Sequence, residues 1–181
     1  VPAVKSRPII SATDARALLT VTRGDRLFHA GVSLLLYAGL RRSEVSALLI
    51  SDYMPGAEPR LRVGAGSGMA VRTIRIARSA AAALDAYLAG EDTAPDEPLL
   101  MGLQRRDWGR HVRHVAEETG VRIAVHDLRR AAIAAALAGG ASALHLEVYF
   151  GLSKLPGRRD LLPVSERYDA AIAEALERAF A

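Results

Sequence analysis

The 181-residue chain contains no cysteine, and its only lysines are Lys5 and Lys154. Without thiols it has neither a disulfide staple nor a thiolate metal site, so an apolar core has to hold the fold. The same lack fits a reducing, cytoplasmic setting. Long apolar runs are missing too. The run Val32 to Leu40 is broken by Ser33, Tyr37 and Gly39 and falls far short of the roughly 20 residues that span a membrane. No basic-then-apolar leader opens the chain, so no secretory signal is expected. The first residue is Val1 rather than methionine, as expected of a part of a longer protein.

Arginine is what the chain has in abundance. Hydrophobic residues make up 50% and charged residues 24%, the balance of a soluble globular domain rather than a disordered one. The net charge is +4 and the pI about 9.8, which favours a polyanionic partner. A guanidinium suits a phosphate better than an ammonium does, because its planar fork donates two parallel hydrogen bonds.

Periodicity predicts a mainly α domain with a small antiparallel β-sheet. Ser11 and Asp14 mark a helix start, and helical spacing follows over about Thr13–Val21 and Arg26–Ala38, with a third helix from Ser43. Between Arg60 and Ile76 the period becomes two: Leu61 and Val63, then Ile74 and Ile76, flank the turn Gly64-Ala65-Gly66-Ser67-Gly68. That is a β-hairpin with a glycine-rich tip. Further helices are expected over Ser79–Ala89, Arg105–Thr119, Leu128–Leu137, Ala143–Phe150 and Ser165–Phe180, with loops at Gly90–Pro98 and Lys154–Pro163. There is no internal repeat, and residues 1–181 read as one domain.

Two stretches concentrate the chemistry. The first is Tyr37-Ala38-Gly39-Leu40-Arg41-Arg42-Ser43-Glu44-Val45, with Asp52 beyond it. The second is His126-Asp127-Leu128-Arg129-Arg130, followed by Gly139-Gly140-Ala141-Ser142 and by Tyr149-Phe150-Gly151-Leu152-Ser153. In this order, with the glycine-tipped hairpin between them, they resemble the two boxes of the tyrosine recombinases, the family of phage integrases, Xer and Cre. The likeness runs from about Pro8 to the C-terminus.

The resemblance implies a domain that cuts and rejoins duplex DNA through a 3′-phosphotyrosyl intermediate, with neither metal nor cofactor. Arg41 and Arg129 would hold the scissile phosphate, His126 would stand beside them for proton transfer or hydrogen bonding, and Tyr168 would be the nucleophile. Arg42, Arg72, Arg75, Arg130 and Lys154 are expected at the DNA. The family's N-terminal DNA-clamping domain has no counterpart in residues 1–181. The family also assembles as tetramers on paired sites by passing a C-terminal helix to a neighbour, and Ala170, Ala171, Ile172, Ala175, Leu176 and Phe180 have the apolar spacing for one. A nucleoid-associated place in the cytoplasm follows.

Two positions depart from the family pattern. The lysine usual at the hairpin tip, general acid for the departing 5′-oxygen, is replaced by Ala65, and Leu152 stands where the second box usually has histidine or tryptophan. Arg72 and Arg75 cannot take the lysine's place, since an arginine scarcely gives up its proton. A domain impaired in this way suggests an alternative: a DNA-binding module that regulates recombination without cleaving.

Other patterns are weaker. The hairpin tip lacks the lysine-serine/threonine ending of a phosphate-cradling loop and precedes a strand, which excludes a nucleotide site. His111 and His114 lie one helical turn apart, but no third ligand is placed to complete a metal site. Tyr37, Tyr87 and Tyr149 fall on apolar helix faces and Tyr53 in a turn, so none competes with Tyr168. Trp108 reads as a packing anchor.

Overall fold

The computed structural model describes residues 9–65, 71–101, 103, 107–121, 123–152 and 166–181. Helix α1 (Ala12–Thr22) starts at a capping box in which Ser11 and Asp14 satisfy each other's backbone N–H groups, as the sequence predicts. Asp25 caps α2 (Arg26–Tyr37) by accepting from the Phe28 amide at 3.0 Å. Helix α2 is apolar almost all round and therefore runs through the centre. Val32, Leu34, Leu35 and Leu36 are buried, and α1, α4, α6 and α8 pack about it.

After α3 (Arg42–Ala47) and a 3-10 turn (Ile50–Asp52), three strands form an antiparallel sheet in sequence order. These are β1 (Tyr53–Met54), β2 (Arg60–Val63) and β3 (Arg72–Arg75). The register pairs Leu61 with Ile74 and Val63 with Arg72. The inward face therefore carries Leu61, Val63, Ile74 and, unexpectedly for a charged side chain, Arg72. Helices α4 (Arg78–Leu88), α5 (Asp107–Thr119), α6 (Val125–Ala138), α7 (Ala143–Phe150) and α8 (Glu166–Phe180) complete the fold. Trp108 is fully buried against Phe28, their ring centroids 5.8 Å apart.

The fold class agrees with the sequence reading, and two details differ. Strand β1 has no signal in the sequence, because two residues carry no period. Helix α6 begins at Val125 rather than Leu128. Its start is fixed by Asp127, whose carboxylate accepts from the Ala124 amide at 2.9 Å.

Helix α8 is docked on its own domain. Ile172, Leu176 and Phe180 are buried, and the Tyr37 hydroxyl donates to the Phe180 carbonyl at 3.0 Å. The Ser79 hydroxyl donates to Glu177. Asp169 accepts from the Arg75 amide at 2.8 Å and from Arg60 at 3.3 Å. No helix among the described residues is long and apolar enough to cross a membrane.

Candidate active site

The arginine of each box stands at or near the start of a helix, Arg41 at that of α3 and Arg129 in the second turn of α6. Arg41 is the N-cap residue of α3, and Glu44, in the helix's first turn, reaches back to accept from the Arg41 amide at 2.7 Å. That is the glutamate half of a capping box. Gly39 makes the approach possible. Its φ of +60° is costly for a side-chain-bearing residue, and a Cβ there would collide with the Phe150 ring.

Arg129 reaches the same place from α6. It donates to the Gly39 carbonyl at 2.6 Å and the Phe150 carbonyl at 2.5 Å, and lies 3.6 Å from Glu44. Arg41 donates to the Gly151 carbonyl at 2.8 Å and sits 3.3 Å from Glu44. Arg72 arrives from β3, 2.7 Å from Glu44 and 2.8 Å from the Tyr149 carbonyl. One buried carboxylate thus meets three guanidiniums and leaves the cluster with net positive charge.

The electrostatics follow from that excess. Burial pushes the Glu44 carboxyl up, but the Arg72 hydrogen bond and charge, the Arg41 amide and the Arg129 charge outweigh it and hold the group below its ordinary value. Arg129 is pulled down to about 10 by burial and by Arg41, with Glu44 opposing and Arg72 adding to the effect. It stays cationic at neutral pH. A bound anion would relieve the repulsion among the guanidiniums, so the cluster is prepared for one.

A cavity of about 800 Å³ opens onto this cluster, and Arg41, Arg42, Arg113, His126 and Arg129 are among the residues that line it. Leu40, Val112 and Ile123 supply apolar wall. Arg41 is about one-third exposed and Arg129 buried, so the first stands at the mouth and the second at the base. His126 is exposed on the first turn of α6, three residues before Arg129. Arg41, His126 and Arg129 are therefore brought to one cleft although 85 residues separate the first two.

Tyr168 is not among the residues lining that cleft. It is buried and stacked on His145, ring centroids 4.8 Å apart at 19°, and lines a second cavity of about 260 Å³ with Gly139, Gly140 and Ile172 among others. The other tyrosines are tied down. Hydroxyls of Tyr37, Tyr53 and Tyr149 donate to Phe180, Asp85 and Arg75, and that of Tyr87 accepts from the Met101 amide. Burial, as the largest cause, raises the pKa of each of these four above its ordinary value, which disfavours a phenolate.

The remaining expected DNA contacts divide. Arg42 lines the cleft. Arg72 corrects the expectation: its side chain is 5% exposed and its Nε and Nη1 face the protein, because it shares the inward parity of Ile74 on β3. Arg75 pairs with Glu58 at 3.0 Å and Arg130 lies 3.7 Å from Asp127, so both are partly engaged. Lys154 lies outside the described residues. Ala65 is half-buried at the start of the hairpin turn, and Leu152 is 40% exposed just past α7. His111 turns to Asp25 at 3.5 Å and His114 to Glu118 at 3.3 Å.

Sequence reasoning does not foresee Glu44 shared among three arginines, Arg72 as a core residue, or Arg113 at the cleft. Arg72 has a visible signal in its period-two spacing from Ile74 and Ile76. Glu44 has one in its place three residues after the N-cap.

No protein-family model matches the chain, and no curated protein matches it in sequence. Solved structures do match. It is similar to XerA recombinase, at 20% identity and a TM-score of 0.69, over 99% of this chain and 65% of that one. The integrase from mycobacterium phage Brujita matches at 22% identity and a TM-score of 0.66, over 99% and 60%. The chain has the fold of these tyrosine recombinases. XerH recombinase bound to its difH substrate in a pre-cleavage complex is similar as well, at 14% identity and a TM-score of 0.62, over 90% of this chain and 50% of that one. The chain thus spans between half and two-thirds of the length of these recombinase-fold relatives.

Proposed function

We propose that this chain is the DNA-cleaving and DNA-joining part of a site-specific recombinase. The observation that carries the proposal is the convergence of Arg41, Arg129 and His126 on one cleft, in a fold shared with recombinases. Tyr168 is the nucleophile. Its phenolate oxygen attacks the scissile phosphorus, a Tyr168–phosphate bond forms, and the bond from phosphorus to the 5′-oxygen breaks. The 5′-hydroxyl of another strand then reverses the step, so the energy of the broken bond is kept and no cofactor is consumed.

Negative charge grows on the non-bridging oxygens in the transition state. Arg41 and Arg129, already held in place, stabilise it without reorganisation. Arg42 and Arg113 extend the positive wall along the DNA, and His126 hydrogen-bonds or exchanges a proton at the phosphate. Tyr168 has to leave His145 and turn toward the cleft, which makes the start of α8 the moving part. Assembly of four chains on paired sites, with α8 handed to a neighbour, would draw on the same motion.

A second reading is a DNA-binding module that does not cut. It is favoured by Ala65 and Leu152 at two positions where a proton donor or phosphate ligand is expected, and by the burial of Tyr168. Incubation with a nicked suicide duplex separates the two. A covalent protein–DNA band that maps to Tyr168 supports the recombinase. Salt-sensitive binding with no band at any enzyme concentration supports the module.

A further inference from the structure

We propose that Arg72 is a positioning residue of the arginine cluster, which sets Arg41 and Arg129 for an anion without touching that anion itself. The inference rests on the proposed function only for the identity of the anion as a DNA phosphate.

The observation is a one-to-one arrangement. Arg72 donates to the carbonyl of Tyr149, Arg129 to that of Phe150 and Arg41 to that of Gly151, at 2.8, 2.5 and 2.8 Å. These are successive carbonyls at the end of α7, where a helix leaves its last acceptors unpartnered and carries the negative end of its dipole. Three guanidiniums from α6, β3 and the start of α3 are thereby gathered on one helix terminus. All three also meet Glu44.

Within this set Arg72 is the anchor. Its contact with Glu44, at 2.7 Å, is shorter than those of Arg41 and Arg129, at 3.3 and 3.6 Å. It also shares the same Glu44 oxygen with Arg41. Gly151, at φ +61°, lies directly on its guanidinium: a Cβ there would stand 3.0 Å from Nη1 and 3.2 Å from Cζ. Arg72 therefore holds Glu44, on which Arg41 leans, and packs against Gly151, whose carbonyl takes the other Arg41 hydrogen bond. Its Nη2 is buried with no hydrogen-bond partner among the described residues, a spare donor behind the pocket, while its charge is paired with Glu44. Were Arg72 gone, Glu44 would bind Arg41 and Arg129 more closely and mask the charge they present. A lysine cannot substitute, because one ammonium does not span Glu44 and the Tyr149 carbonyl as a planar fork does.

The test uses the full chain and the variant Arg72→Lys. Inorganic phosphate is titrated while the Nε–H signals of Arg41, Arg72 and Arg129 are followed by nitrogen-15 NMR. Binding to duplex DNA is measured across a salt series, and covalent adduct formation on the nicked duplex in single turnover. Phosphate affinity is expected to fall about tenfold, the scale of one well-placed charge-assisted hydrogen bond. The adduct rate is expected to fall about 10²-fold, as for a small misplacement at a reacting centre, and the salt slope to stay the same. In the charge-removing variant Arg72→Gln, a slope shallower by about one would mean that Arg72 itself neutralises a phosphate, and would overturn the proposal. So would unchanged phosphate affinity and adduct rate in Arg72→Lys.

Should Arg72→Lys fail to fold, the natural chain decides. With phosphate its Arg41 and Arg129 signals should move and that of Arg72 should keep its position and slow hydrogen exchange. An Arg72 signal that moves most overturns the assignment. A natural chain that gives no adduct counts against the recombinase reading, and the phosphate titration then decides this one.

Discussion

Arg72 Nη1 lies 2.7 Å from Glu44 Oε1, with neither side chain more than 5% exposed. A charged pair at such depth is costly unless both partners are fully used. Here the carboxylate is divided among three arginines and a backbone amide. Glu44 thus keeps like charges together that would otherwise repel. The cleft presents Arg41 and Arg129 as fixed donors because a carboxylate behind them absorbs part of their mutual repulsion.

Glu44→Gln should therefore be among the most damaging single changes in the chain. Removing one partner of a buried ion network typically costs about 3–5 kcal/mol, and here it leaves three guanidiniums uncompensated. Chemical denaturation of the variant should show that loss. A cost below about 1 kcal/mol would mean that the cluster is far more hydrated than its burial implies.

Acid should act through the same residue. Since the folded carboxyl of Glu44 is held below its ordinary value, its contribution to stability is present above the unfolded value of about 4.3 and is lost as pH falls through the folded one. In that window the unfolded chain binds the extra proton, so stability rises with pH. The melting temperatures of the natural chain and of Glu44→Gln should converge as pH drops below about 4. Parallel curves would place the acid sensitivity elsewhere.

Much of this architecture is legible in the sequence, and the exceptions share a cause. Ser11 and Asp14 mark the start of α1, the Leu61/Val63 and Ile74/Ile76 alternation marks the hairpin, and the two boxes mark Arg41, His126 and Arg129. What escapes is charge turned inward. Lys, Glu, Arg and Asp are almost never fully buried unless paired, and pairing across 28 residues, as between Glu44 and Arg72, leaves no local mark. Tyr168 illustrates the same limit. Its order in the chain singles it out, but its stacking on His145 depends on how α8 docks beside α7.

Gly151 provides a test at the backbone. Its φ of +61°, and the 3.0 Å that would separate an added Cβ from the Arg72 guanidinium, leave Gly151→Ala both strained and crowded. The left-handed conformation alone costs about 1–2 kcal/mol for an alanine, and the displaced carbonyl should disturb Arg41. Stability should fall by at least that amount and the adduct rate with it. A variant as stable as the natural chain would show that the turn relaxes freely.

Tyr168→Phe should abolish the covalent adduct while duplex affinity stays within about threefold, since phosphate contacts rather than the nucleophile dominate binding. Phenylalanine at Tyr37, Tyr53, Tyr87 or Tyr149 should leave the adduct in place, because burial raises the pKa of each of those phenols and disfavours the phenolate. Peptide mapping of the adduct checks both. An adduct on any of these four would overturn the assignment of the nucleophile.

Ala65 separates slow chemistry from none. Without a general acid at the hairpin tip, departure of the 5′-oxygen should be slowed by about the 10²–10⁴-fold that one proton donor supplies. A duplex whose bridging 5′-oxygen is replaced by sulfur needs no such acid, because a thiolate leaves unaided. The protein should cleave that duplex far faster than the ordinary one, Tyr168→Phe should lose both reactions, and Ala65→Lys should restore part of the ordinary rate. Equal rates on the two duplexes would mean that another group supplies the proton, and Lys154→Ala is the variant to examine first. Failure on both, by a chain that still binds duplex with a steep salt dependence, would leave a cluster that grips phosphate without cutting it.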